Sequence, residues 1–234
     1  MRLKNLFFSI LLITSIISFA YTKLELQIAV GERNQEKVLK IINSLDYQSL
    51  PLDFKCEVVL AYTDLYVWGT GNVKIYQDIA KKYVENLLKS FPTYWKCQYA
   101  AAMVYGHYVQ KNFLLALIYY KKIFEFAENA VKYGPDQYLA HLLVGILNLE
   151  TPFGNLSKAQ YHLFKALELN PNHVYTYVEL GKFYERTNNC QKAIEMYSKA
   201  LKVKGEVIWK YINEEGRQVA NERLLEVKKK CTKK

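Results

Sequence analysis

Apolar residues recur at three- and four-residue spacing along most of the chain, and short Gly, Pro or Asn breaks separate these stretches. Such spacing gathers the apolar side chains on one face of an α-helix and differs from the alternation expected of a strand. Residues 24–45 predict one helical hairpin, residues 112–133 one long helix, and residues 206–229 a last helix with a polar outer face. We therefore predict an all-α chain of about four to five antiparallel helical hairpins with a C-terminal capping helix.

The start of the chain has a different pattern. Arg2 and Lys4 precede an uncharged run from Leu6 to Ala20, which ends in small residues at the positions that a signal peptidase reads. This pattern predicts a secretory signal peptide, residues 1–20, because the run is shorter than the ~20 apolar residues of a membrane-spanning helix. An uncleaved anchor is the alternative. We expect residues 21–234 to form a single exported domain, periplasmic or secreted.

A fixed order of small and aromatic residues recurs in the C-terminal half. Residues 174–207 contain, in order, Tyr177, Leu180, Gly181, Tyr184, Ala193, Tyr197, Ala200 and Leu201. Residues 138–173 keep the same phase, with Gly145 and Ala159 at the equivalent small positions. Small residues are needed where two antiparallel helices approach closely, and aromatic residues fill the remaining grooves. Weaker copies occupy residues 54–93 and 94–137, so the recurring order predicts an α-solenoid.

This order resembles the tetratricopeptide repeat, W-x2-L-G-x2-Y followed by A-x3-F-x2-A, with Tyr177 at the Trp position. The resemblance implies a right-handed superhelix that binds protein partners on its concave face without catalysing a reaction. The signal peptide, the weaker early repeats and the Pro-Phe-Gly-Asn turn at residues 152–155 are also similar to the periplasmic tetratricopeptide proteins associated with TRAP transporters. Those proteins are often lipid-anchored, and no cysteine directly follows the predicted cleavage point here.

In tetratricopeptide proteins the first helix of each hairpin lines the concave face. The resemblance places these residues of the chain on that face: Tyr99, Met103, Leu139, Leu142, Ile146, Tyr175, Lys182 and Arg186. Several are aliphatic, and soluble surfaces rarely leave contiguous aliphatic side chains uncovered. The chain's own terminal helix is one possible cover, and a protein partner or a small apolar or organic-acid ligand is the other. In an open groove, Lys182 and Arg186 would hold a carboxylate at the rim.

The chain contains 32 basic and 22 acidic residues, and five of its lysines lie within residues 228–234. Without these five lysines and the two basic residues of the predicted signal peptide, the remaining residues carry a formal charge of only about +3, which argues against a broad nucleic-acid surface. The lysine tail allows contact with a membrane surface, and a solvated helix end is the plainer alternative. Oligomerisation stays open.

The four cysteines all follow the predicted cleavage point. Cys56 and Cys97 are 41 residues apart, and so are Cys190 and Cys231. An oxidising compartment would allow these two disulfides, although four cysteines permit three connectivities and could also stay free and buried.

No motif in the sequence indicates a reaction, a metal site or a cofactor. The four histidines lack the HExxH spacing and have no paired cysteines beside them. We therefore predict a non-enzymatic scaffold. The competing hypothesis is a carbohydrate-active or other helical enzyme of the cell envelope, with Glu150 and Glu185 as acid and base. A membrane-associated envelope assembly factor is a further alternative.

Overall fold

The computed structural model describes residues 21–110 and 112–232, which form eleven α-helices and contain no β-strand. In chain order the helices are α1 (Lys23–Gly31), α2 (Gln35–Ser44), α3 (Leu52–Trp68), α4 (Lys74–Ser90), α5 (Trp95–Val109), α6 (Phe113–Tyr133), α7 (Tyr138–Glu150), α8 (Leu156–Leu169), α9 (Val174–Arg186), α10 (Cys190–Lys202) and α11 (Lys210–Cys231). Two short 3-10 turns, Tyr47–Ser49 and Val207–Trp209, precede α3 and α11. The predicted signal peptide and the last two lysines of the tail lie outside the described residues.

The helices pair as five antiparallel hairpins, α1 with α2, α3 with α4, α5 with α6, α7 with α8 and α9 with α10. Each second helix also packs against the first helix of the next hairpin, and α11 packs against both α9 and α10. The all-α solenoid that the apolar spacing predicts is therefore confirmed. No helix in the described part of the chain combines the length and the apolar character needed to cross a membrane.

The second helix of four hairpins begins at an asparagine cap. The side chains of Asn34, Asn112, Asn155 and Asn189 each accept a hydrogen bond from the backbone N–H three residues further on. Such a cap satisfies a free N–H group of the first helical turn and contributes about 1 kcal/mol. All hairpin turns lie at one edge of the solenoid, because every first helix ends there and every second helix begins there. We call this edge the turn edge, and its connecting residues are 32–34, 69–73, 110 and 112, 151–155, and 187–189.

Small residues allow the two helices of a hairpin to touch, as their spacing in the sequence predicts. A β-carbon at Gly181 would overlap the Tyr197 ring on the facing helix, and one at Gly145 would lie 2.7 Å from Leu163 Cδ2. The apolar core has two main parts, one formed by α1–α5 and one by α7–α11. Smaller clusters of α5, α6 and α7 side chains connect them.

The two ends of the solenoid meet. Residues 205–211, which we call the closing segment, pass between α1 and the N-terminal ends of α7 and α9. Gly31 lies so close to the backbone of Ile208 that a β-carbon there would collide with the Ile208 carbonyl. The Arg33 guanidinium lies 2.6 Å from the Glu215 carboxylate of α11 and 5.2 Å from the centre of the Tyr211 ring. The N-terminal hairpin is thus fastened to the C-terminal helix.

The cysteines occur in two adjacent pairs. A disulfide joins Cys190 at the start of α10 to Cys231 at the end of α11. Cys56 and Cys97 are buried on α3 and α5 with their sulfurs 3.1 Å apart, and they are thiols. The second disulfide that the equal spacing predicts is therefore not formed in this structure. The pKa of the Cys56 thiol is raised by its hydrogen bond to Cys97 and by burial. The raised pKa disfavours the thiolate, which is the form needed for disulfide exchange.

Candidate functional site

The structure places all eight predicted concave-face residues on the first helices of three successive hairpins. They are Tyr99 and Met103 on α5, Leu139, Leu142 and Ile146 on α7, and Tyr175, Lys182 and Arg186 on α9. Their exposure differs widely. Leu142 is only 6% exposed and belongs to the C-terminal core, Tyr99 is also buried, and the others apart from Arg186 are half-buried. Two of the side chains assigned to an open groove, Tyr99 and Leu142, therefore pack inside the protein.

The closing segment and α11 cover the half of the concave face at the N-terminal ends of α7 and α9. The Trp209 indole N–H donates a hydrogen bond of 2.9 Å to the Tyr138 hydroxyl, and its ring meets the His173 ring edge-on. Gly216 of α11 lies over Tyr175, since a β-carbon at Gly216 would lie 3.2 Å from Tyr175 Cδ2. This half has the self-covering arrangement, with the chain's own C-terminal region as the cover.

The other half, towards the C-terminal ends of α5, α7 and α9, is more open. A β-carbon built on Gly106 meets no atom within 4 Å, so space lies above α5 at this point. Met103 and Ile146 are half-buried on neighbouring first helices, and Arg186 is exposed at the end of α9. Among the described residues Arg186 forms no ion pair. We call these four residues the open half of the concave face.

Lys182 is already neutralised by its neighbours. Its Nζ lies 2.8 Å from the Glu179 carboxylate and 3.2 Å from that of Glu150. Burial lowers the pKa of Lys182, but these carboxylates outweigh it and leave the pKa above its ordinary value. Burial raises the pKa of Glu179, whose Oε2 has no hydrogen-bond partner among the described residues. Of the two cations expected to bind a carboxylate, Lys182 is thus already paired. Arg186 is the one without an ion-pair partner among the described residues.

An ion network that the sequence analysis did not identify joins the first three hairpins. The Lys96 ammonium of α5 contacts Glu57 and lies 2.9 Å from Asp53 Oδ1, both on α3. Lys23 of α1 binds the second oxygen of Asp53, and the Gln27 amide donates a 2.7 Å hydrogen bond to Glu57. Burial raises the pKa of Asp53, but hydrogen bonds from Lys23 and Lys96 outweigh it and lower the pKa overall. The available signals were two carboxylates four residues apart on α3 and Lys96 on the largely apolar α5.

The carboxylates considered as an acid and base pair have different partners. Glu150 pairs with Lys182, whereas Glu185 accepts a hydrogen bond from the Tyr197 hydroxyl and lies 3.9 Å from Arg223. Within residues 21–110 and 112–232 no group of three or more His, Cys, Asp or Glu side chains is arranged to hold a metal ion.

The fold and its partly open concave face define a helical-repeat protein of the solenoid class. A solved structure, a thermophilic TPR protein from Thermus thermophilus, matches 87% of this chain and 100% of its own chain with a TM-score of 0.65 at 15% identity. The chain therefore has the tetratricopeptide fold, and the resemblance found in the sequence is confirmed for the fold. No protein-family model matches the chain.

A curated protein also resembles part of the sequence. Anaphase-promoting complex subunit 3 from Schizosaccharomyces pombe is 31% identical over 74 residues, which are 32% of this chain. The chain spans 11% of the length of that protein.

Proposed function

We propose that the protein is an exported, non-enzymatic scaffold that binds a protein partner through the open half of its concave face. The observation that carries this proposal is the open space above Gly106 on α5. Met103 and Ile146 are half-buried on the first helices α5 and α7, and Arg186 is exposed at the end of α9. Apolar side chains on neighbouring helices can hold the apolar face of a partner segment, as in other grooves between helices. Arg186 adds a charge-assisted hydrogen bond to a carboxylate of that segment.

The contacts in the covered half also hold the helices of the open half in position. The closing segment and the Lys96 network tie α1, α3, α5, α7 and α9 into fixed relative positions. A groove whose walls are already held loses less conformational entropy when a partner binds, and its affinity is higher for the same contacts. We therefore place the partner between α5 and α9 and away from the closing segment.

Export rests on the predicted signal peptide, residues 1–20. An accessory role in TRAP-type transport rests on the sequence resemblance, and it would make the partner another protein of that transport system. A small organic acid in the same half would use Arg186 in the same way, and it remains the second candidate occupant.

Single substitutions that keep the fold test the proposal. Ile146→Glu places a charge on a half-buried position of the open half, whereas Leu142→Glu would place it in the core and unfold the protein. Tyr161→Glu, at an exposed position of α8, is the matched control. Tagged forms of the wild type, Ile146→Glu and Tyr161→Glu are purified from the native host under identical conditions, after circular dichroism has shown equal helix content.

We expect a stoichiometric partner with the wild type and with Tyr161→Glu, and its loss with Ile146→Glu. A partner that stays with Ile146→Glu at wild-type levels would contradict binding in the open half.

A further inference from the structure

The first two turns of α6 expose a stripe of apolar side chains. Phe113, Leu114 and Ile118 are each 70% exposed, and Leu117 is 39% exposed. These positions follow one face of the helix, and no charged residue occurs from Asn112 to Tyr120. Four such side chains on one short segment form a contiguous apolar surface, which on a soluble protein indicates a contact with a partner or a membrane.

The stripe lies at the turn edge and continues to the neighbouring hairpin. Phe153, in the turn between α7 and α8, stacks on Tyr120 of α6 with ring centres 4.1 Å apart. Leu156 at the start of α8 is also exposed. On the other side of α6, Val67 and Ile75 are exposed next to the turn between α3 and α4. Apolar side chains therefore project from three successive hairpin turns along the same edge.

Lysines accumulate at the same edge. The disulfide fastens the end of α11 to the start of α10, and this brings the exposed residues Lys228–Lys230 to the turn edge. Lys121 lies three residues after the last residue of the α6 stripe, and Lys74 and Lys192 are exposed in the first turns of α4 and α10. The acidic side chains that end the first helices of the last two hairpins, Glu150 and Glu185, already have cationic neighbours. The edge therefore carries an excess of positive charge.

We propose that the turn edge docks onto an anionic lipid surface, with the α6 stripe inserted at the headgroup boundary and the lysines on lipid phosphates. Apolar side chains that project from several hairpin turns can enter a fluid surface without shape complementarity. Lysines beside an apolar face are the pattern of segments that lie in a membrane interface. A second copy of the chain would instead bring the lysines of the two edges together. This docking does not depend on the proposed partner binding, because the two surfaces are different.

Vesicle binding of the mature, disulfide-bonded protein tests the proposal. The probes are vesicles of phosphatidylcholine alone and of phosphatidylcholine mixed with phosphatidylglycerol, at low and high salt. We expect at least about tenfold stronger binding to the anionic vesicles, weakened by salt, because each lysine near such a surface adds to the affinity. The variant Leu114→Gln/Ile118→Gln should lose most of this binding and keep its helix content, since both side chains are largely exposed.

Two further variants separate the contributions. Leu24→Gln/Phe91→Gln removes two exposed apolar side chains at the opposite edge, where α1 begins and α4 ends, and should bind vesicles as the wild type does. Lys228→Gln/Lys229→Gln/Lys230→Gln should lower binding to anionic vesicles and reduce its dependence on salt.

Three results would overturn the proposal. In the first, the wild type does not bind anionic vesicles. In the second, the α6 double variant still binds them as the wild type does. In the third, analytical ultracentrifugation shows a dimer that the α6 double substitution abolishes.

Discussion

Replacing Lys96 with methionine is predicted to lower the free energy of unfolding by about 3–5 kcal/mol, the usual cost of leaving a buried charge without its partner. The Lys96 side chain is 8% exposed and that of Glu57 is 11% exposed, so water cannot replace the lost ammonium. Asp53 is more exposed and keeps Lys23, and it should therefore contribute less to the loss. Methionine retains the apolar stem, which limits the change to the charge.

A second substitution separates charge from packing. In Lys96→Met/Glu57→Gln both buried charges are gone, and the amide retains a hydrogen-bonding group near Gln27. We expect the double variant to recover about 2 kcal/mol relative to Lys96→Met. The single variant Glu57→Gln should cost about 1–3 kcal/mol, because Lys96 keeps its contact with Asp53.

Urea unfolding of the protein, followed by circular dichroism, measures these differences. In the wild type, burial lowers the pKa of Lys96, but Glu57 and Asp53 outweigh the effect of burial and raise this pKa overall. The contribution of Lys96 to stability is therefore lost only as the pH rises through the pKa of the folded state. Lys40→Met, at an exposed position of α2, is the control and should change stability by less than about 0.5 kcal/mol.

A loss below about 1 kcal/mol for Lys96→Met would contradict the buried ion pair. The network would then behave like a solvated surface ion pair.

Three other predictions follow from the packing and titration of the fold. Gly31→Ala should lower the free energy of unfolding by about 1–3 kcal/mol and speed hydrogen exchange in the closing segment, whereas unchanged exchange would contradict the contact. Cys190→Ser should cost about 4 kcal/mol in non-reducing thermal unfolding, because Cys231 is 41 residues away, and an unchanged melting temperature would be inconsistent with the disulfide. Burial lowers the pKa values of His162 and His173 to about 4 each, so the protein should lose stability as the pH falls from about 6.5 towards 4. Ring proton shifts in a nuclear magnetic resonance titration check these pKa values, and midpoints near 6.5 would show solvated histidines.

The helices and their pairing could be predicted from the sequence because they depend on local patterns. The predicted long helix at residues 112–133 corresponds to α6, and the contact of Gly181 with Tyr197 is the close approach that the repeat order implies. Both depend on residues within one hairpin.

The closure of the solenoid could not be predicted in the same way. The contact of Gly31 with Ile208 depends on the small rotation between each repeat and the next, summed over the whole chain. In the sequence Gly31 resembles an ordinary turn residue. The repeat pattern places Leu142 on the correct helix but predicts it in an open groove, whereas it is buried in the core. Its burial depends on how closely α7 approaches its neighbours, which the repeat pattern does not specify.

The ion network was missed because its members come from three helices. Lys96 meets carboxylates about 40 residues earlier in the chain only when α3 and α5 stand side by side. The local signs were Lys96 in the largely apolar α5 and the two carboxylates on α3, and neither indicates its partner.

We expect a protein partner to occupy the open half of the concave face. Site-specific photocrosslinking in the native host tests it most directly, with the photoreactive amino acid at Ile146 in one strain and at the exposed Tyr161 of α8 in another. We expect one discrete crosslinked protein from position 146 and none from position 161. A crosslink from position 161 with none from position 146 would contradict it.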